Sequence, residues 1–162
     1  MKSPLILITN DDGYQSKGIQ SLINAVKDFG EIMIVAPYGP QSGMGHAITV
    51  NHSIRCNKTN FHGSLDSYFC SGTPVDCIKM GIYLLNDRKP DIILSGINHG
   101  TNVSTNILYS GTMGAAVEGA LEGIPSIGFS LTDSSEDADF SYSKKIVSLI
   151  TQKVLDKGIK KG

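Results

Sequence analysis

Leu5-Ile6-Leu7-Ile8-Thr9 is an unbroken apolar, β-branched run that stops abruptly at Asn10-Asp11-Asp12-Gly13. A strand with one wet face alternates apolar and polar residues, so a continuous run predicts a strand covered on both faces, as in a parallel sheet. Two more runs of this kind follow, Glu31 to Ala36 closed by Pro37, and Asp91-Ile92-Ile93-Leu94-Ser95. Between the first two, Ile19, Leu22, Ile23, Val26 and Phe29 fall at helical spacing from Gly18 to Phe29, and Gly30 stops the helix. Thr73-Pro74 opens another helix, with Thr as N-cap and Pro in the first turn. Thr112 to Glu122 reads as a helix of small residues, Pro125 to Phe129 as a strand, and Tyr142 to Asp156 as an amphipathic helix. Ala47 to Arg55 and Asp66 to Cys70 read as less regular strands, with loops from Tyr38 to His46 and from Gly96 to Tyr109.

Strands alternating with helices predict an α/β chain with a parallel sheet and helices on both faces. Such sheets bind ligands outside the carboxyl ends of their strands. The informative loops are therefore those after the first strand, the second, and the strand beginning at Asp91. At 162 residues and 40% hydrophobic content, one domain over 1–162 with a substantial core is the natural expectation.

Fourteen Lys and Arg against fifteen Asp and Glu give a net charge of −1. The charges are scattered, so neither a nucleic-acid polymer nor an anionic membrane is an expected partner. Phosphate chemistry on such a chain needs local positive charge, and a metal ion is one source. The three cysteines, Cys56, Cys70 and Cys77, form an odd set without Cys-x-x-Cys spacing. They predict reduced thiols in a cytoplasm rather than a disulfide framework or a zinc knuckle. The run Leu5 to Ile8 is too short for a signal-peptide core or a membrane span.

Asp11 and Asp12 are adjacent carboxylates at a strand end, and they repel unless something positive lies between them. Mg²⁺, Mn²⁺ or Ca²⁺ answers that repulsion with a preference for oxygen ligands. An Asx-rich turn with Gly13 at its unusual backbone angle answers the same pattern. Ser42, in Gly39-Pro40-Gln41-Ser42-Gly43, and Asn98, in Ser95-Gly96-Ile97-Asn98-His99-Gly100, add neutral oxygens at two other strand ends. Their flanking glycines allow close approach to a ligand or simply make flexible loops. Tyr109-Ser110-Gly111-Thr112 precedes a helix whose start offers N–H groups to an anion, while Ser110 or Thr112 also suits an N-cap. His46, His52, His62 and His99 lack His-Glu-x-x-His spacing, and only His99, beside Asn98, is a candidate for chemistry.

Five blocks together resemble the stationary-phase survival protein family, SurE: Ile8-Thr9-Asn10-Asp11-Asp12-Gly13, Ala36-Pro37 with Gln41-Ser42-Gly43, Ser71-Gly72-Thr73-Pro74, Ser95 to Gly100, and Tyr109-Ser110-Gly111-Thr112. They occur in the family's order and span most of the chain. The resemblance implies a three-layer, Rossmann-like, mostly parallel fold and a metal-dependent nucleotidase. It implies one divalent ion per subunit held by Asp11, Asp12, Ser42 and Asn98. Substrates are implied to be nucleoside 5′- or 3′-monophosphates, with polyphosphate as well, and the assembly a dimer or tetramer. On this reading Asn10, Gly43, Asn98, Ser110, Gly111 and Thr112 hold the substrate, while Asp11, Asp12, Asn98 and His99 serve the chemistry. Many relatives carry an acidic residue where this chain has Asn106. The family also continues past the helix ending near Lys157, so the family's C-terminal part is expected to be missing from this chain.

Three rivals remain. A phosphoaspartate enzyme usually spaces two Asp by one residue, and here they are adjacent. A serine hydrolase at Ser42 lacks the Gly-x-Ser-x-Gly elbow. A non-catalytic nucleotide-binding module, or an inactive fragment, fits a chain shorter than its family.

Overall fold

The computed structural model describes residues 3–135 and 137–159. The ends of the single domain expected over 1–162, including Gly162, lie outside the described residues. The elements run β1 (Leu5–Thr9), α1 (Lys17–Val26), β2 (Glu31–Pro37), β3 (Cys56–Lys58), β4 (Asp66–Cys70), α2 (Pro74–Leu84), β5 (Ile92–His99), α3 (Asn106–Tyr109), α4 (Gly111–Leu121), β6 (Ser126–Leu131) and α5 (Ser141–Lys157). They build a six-stranded sheet in the order β3-β4-β2-β1-β5-β6. Among the described residues only the β3–β4 pair is antiparallel.

The unbroken apolar runs are buried on both faces, as their composition dictates. Ile6, Ile8, Ile34, Ala36, Ile92 and Leu94 pack beneath α1 and α5 with Ile19, Leu22, Val26 and Val147. The alternate residues Leu7, Met33, Val35 and Ile93 pack beneath α2 and α4 with Ile78 and Ala115. This period-two division of each strand between two helical layers fixes the register, because a slip of one residue exchanges the faces.

From β1 the chain steps one way to β2, and from β5 the other way to β6. The carboxyl ends around β1 are therefore the topological switch point at which doubly wound sheets open a crevice.

Three expectations need correction. Ala47 to Arg55 is not a strand: Thr73 Oγ1 donates to the Ala47 carbonyl at 2.7 Å, and Thr49 Oγ1 donates to Asp76 at 2.6 Å. These side chains draw the segment across the start of α2, away from the sheet. The stretch after Ser95 is not simply a loop, since β5 continues beside β6 to His99 and α3 follows. Finally, Cys56 and Cys70 are not separate thiols. They face one another across the β3–β4 ladder with Cα atoms 4.2 Å apart and form a disulfide, while Cys77 is free and buried.

Among the described residues no helix is long and apolar enough to cross a membrane.

Candidate active site

The carboxyl ends of β1, β2 and β5 open into one cavity of about 230 Å³, lined in part by Asp11, Ser42, Gly43, Asn98, His99 and Ser110. Three separated loops thus bring the acid, hydroxyl and amide singled out in the sequence to one place.

Asp11 leaves the end of β1 and is only 5% exposed. Thr112 Oγ1 donates to its Oδ1 at 2.5 Å from the first turn of α4. That helix starts close against the carboxylate because residue 111 is glycine. A Cβ there would lie 2.9 Å from the Asp11 Cβ. The partial positive charge of the helix start therefore falls on Asp11. Ser110 occupies other N–H groups of the same turn, its Oγ accepting from Met113 N at 3.1 Å and its carbonyl from Gly114 N at 2.9 Å. Burial pushes the Asp11 carboxyl above its ordinary range; the hydrogen bonds from Thr112 oppose this and the nearby charge of Asp12 reinforces it.

Asp12 turns toward the end of β5, at His99, which also lines the Asp11 cavity. Its Oδ2 accepts the His99 backbone N–H at 3.1 Å and lies 3.5 Å from His99 Nδ1. It lines an adjoining cavity with Ser16, Lys17 and His99. The His99 ring stands edge-on to Phe140, with centroids 4.9 Å apart.

Asn98 reaches the cavity through a bulge in β5. Ser95 pairs with Gly128 and Asn98 with Ser130, three steps against two, and Gly96 adopts a φ of 127° within the bulge. A bulge bends its strand and re-aims the side chains beyond it. The Asn98 amide nitrogen donates to the Gly100 carbonyl at 2.8 Å, so its oxygen is the atom left for a ligand.

Ser42 and Gly43 lie on the loop after β2, which is tied down on both sides. Gln41 N donates to the Asp11 carbonyl at 2.7 Å, and Gly45 N to the Tyr109 carbonyl at 2.9 Å. His46 Nε2 meets Glu118 Oε2 at 2.8 Å, and Lys79 Nζ meets Glu118 Oε1 at 2.5 Å. Burial raises the Glu118 carboxyl, but its bonds to Lys79 and His46 outweigh that and leave it below the usual range. Nothing in the sequence marks this clamp, because its members are far apart along the chain.

Three of the residues that the resemblance assigns to substrate, Thr112, Gly111 and Asn10, do not line this cavity. Thr112 is fully buried and spends its hydroxyl on Asp11. Gly111 packs against Asp11 and Pro74. Asn10, also fully buried, donates to the Gly13 carbonyl at 2.9 Å and to Ser16 Oγ at 2.8 Å. It holds the Asp-Asp-Gly turn against the N-cap of α1. Asn106, by contrast, lines the cavity.

The profile of the family described as "Survival protein SurE" matches residues 6–162. The chain belongs to the SurE family. It is 52% identical over its whole length to the 5′-nucleotidase SurE of Cytophaga hutchinsonii, covering 63% of that protein. To the 5′-nucleotidase SurE of Christiangramia forsetii it is 51% identical over 98% of this chain and 62% of the relative. The crystal structure of the SurE protein from Aquifex aeolicus superposes with a TM-score of 0.88 at 42% identity, over 96% of this chain and 62% of that one. The chain thus spans a little under two thirds of the length of these SurE proteins.

Among the described residues no group of three or more His, Cys, Asp or Glu side chains could hold a metal. The donors that do converge are the Asp11 carboxylate, the Ser42 hydroxyl and the Asn98 amide, with Asp12 beside them. An all-oxygen set with a buried carboxylate fits a hard cation such as Mg²⁺, Mn²⁺ or Ca²⁺ and suits zinc poorly.

Proposed function

We propose that this chain carries the active centre of a divalent-metal-dependent phosphomonoesterase that hydrolyses nucleoside 5′-monophosphates. The observation that carries the reading is the convergence of Asp11, Ser42 and Asn98 from three strand ends in one open cavity. The names of the SurE relatives support the substrate class. The same cavity is open enough to take the terminal phosphoryl group of a 3′-monophosphate or a polyphosphate. The protein acts as a homodimer or homotetramer, with one metal ion in each subunit.

Asp11, Asp12, Ser42 and Asn98 are the residues that hold the ion. When bound, it supplies positive charge against the phosphoryl oxygens and lowers the pKa of a nearby water. Thr112 fixes the Asp11 carboxylate in one orientation, so that little reorganisation is needed when a ligand arrives. Gly43, Asn98 and Ser110 line the side on which the other phosphoryl oxygens sit. Asp12 holds the backbone of His99 and faces its Nδ1, which directs Nε2 to the remaining proton transfer. Asn10 and Gly111 act through the loop and the helix start rather than on the substrate.

The test is phosphate release from a panel of nucleoside monophosphates with Mg²⁺, Mn²⁺ or Ca²⁺, using this chain and one extended to the relatives' full length. Asp11→Asn lowers kcat/KM by well over ~10-fold, about 1.4 kcal/mol of barrier, if the carboxylate is a ligand. Activity that survives both chelation and Asp11→Asn contradicts the proposal. Nucleotide binding without release in both chains points to a binding module.

A further inference from the structure

Directly across the Gly39–Gly43 loop lies a second cavity of about 450 Å³, lined by Tyr38, Pro40, Gln41, Arg55, Phe69 and Ser71 among others. Gln41 lines this cavity and Ser42 the phosphoryl cavity, so the wall between them is one loop thick. The Gln41 N–H to the Asp11 carbonyl holds that wall in place.

The chemistry of the two sides differs. The chain has only six Tyr and five Phe. Two of these, Tyr38 and Phe69, line the cavity and pack on one another at 5.4 Å between centroids. Two more back them outside the lining: Tyr14 stacks on Phe69 at 5.2 Å, and Phe61 meets the edge of Tyr14 at 5.6 Å. Tyr14 is wedged behind by its N–H to the Pro37 carbonyl, while Tyr38 remains 68% exposed. An exposed ring backed by a rigid aromatic stack is a platform for another flat π-system. Arg55 is the charged residue of the lining, and its guanidinium has no ion-pair or hydrogen-bond partner among the described residues. It offers N–H donors, and no carboxylate in the lining competes for them.

We propose that this cavity is the nucleoside subsite: the base stacks on Tyr38 and takes hydrogen bonds from Arg55 while its phosphate occupies the Asp11 cavity. Purines gain more than pyrimidines, because stacking grows with the area of the π-face. The inference rests on the nucleotidase reading for the position of the phosphate.

The experiment compares adenosine 5′-monophosphate with ribose 5-phosphate, which carries the same phosphoryl group and no base, in the parent, Tyr38→Ala, Tyr38→Phe and Arg55→Ala. The expected result is a preference for the nucleotide that falls ~10-fold in Tyr38→Ala and Arg55→Ala, through KM, and survives in Tyr38→Phe. A preference unchanged in both Ala variants overturns the subsite. Arg55 is exposed, so its variant keeps the test available if Tyr38→Ala does not fold. If neither this chain nor its extended form releases phosphate from either ester, the nucleotidase reading fails and adenosine binding, followed by NMR, decides the subsite alone. Binding by the parent that is lost in both Ala variants upholds it, and no binding by the parent overturns it.

Discussion

Asp11 is a carboxylate held where its own charge is disfavoured. It is buried, it has Asp12 as neighbour, and its main support is Thr112 at the start of α4. Thr112→Val removes that support and leaves the shape, so we predict weaker Mn²⁺ binding and a kcat/KM lower by ~10-fold, with Thr112→Ser retaining both. Isothermal titration and phosphate release together check this, since a purely structural role moves neither in a folded variant. The raised pKa has a consequence of definite sign. Below the ordinary aspartate value of 3.8 the carboxyl is neutral whether the chain is folded or not, and the fold suffers no penalty from it. As pH rises through the raised folded value the buried charge must form, and the metal-free protein loses that part of its stability. A bound cation offsets the cost, so the rise in melting temperature on adding Mn²⁺ is predicted to grow as pH increases from about 4 to about 7.

Among the elements, the loop after β2 decides whether Ser42 meets Asp11, and its far anchor is Glu118 on α4. Glu118→Gln weakens the bonds to His46 and Lys79; both partners are partly exposed, so the expected loss is about 1 kcal/mol. Because the Glu118 carboxyl is held below its ordinary range, its contribution is present above the unfolded glutamate value and is lost as pH falls through the lower folded value. Urea melts of parent and variant should therefore converge in acid. The β3–β4 ladder makes a separate prediction: under non-reducing denaturation one thiol, Cys77, takes up alkylating reagent, and after reduction all three do. Neither the clamp nor the ladder is legible in the sequence. His46 and Glu118 are 72 residues apart, and Cys56 meets Cys70 only because an antiparallel register sets them opposite. The extension of β5 was equally hidden. Its apolar run ends where its side chains begin to face the site, so residues 96–99 read as loop although the backbone continues as strand.

At the scale of the whole molecule, the doubly wound sheet follows from three apolar runs and the helical spacing between them, since burial on both faces leaves few other arrangements. The site was partly legible for the same reason. Residues placed just beyond buried strands must gather at one edge, and Asp11, Ser42 and Asn98 do. What composition could not reveal is depth: Thr112, Gly111 and Asn10 occur in the same blocks but do not line the cavity, Thr112 and Asn10 spending their side chains on protein partners and Gly111 packing against Asp11. The most direct measurement is the anomalous diffraction of a crystal soaked in Mn²⁺. A strong peak among the oxygens of Asp11, Ser42 and Asn98, absent in Asp11→Asn, is the predicted result. A peak elsewhere, or none beside an ordered and unobstructed Asp11, contradicts the metal centre.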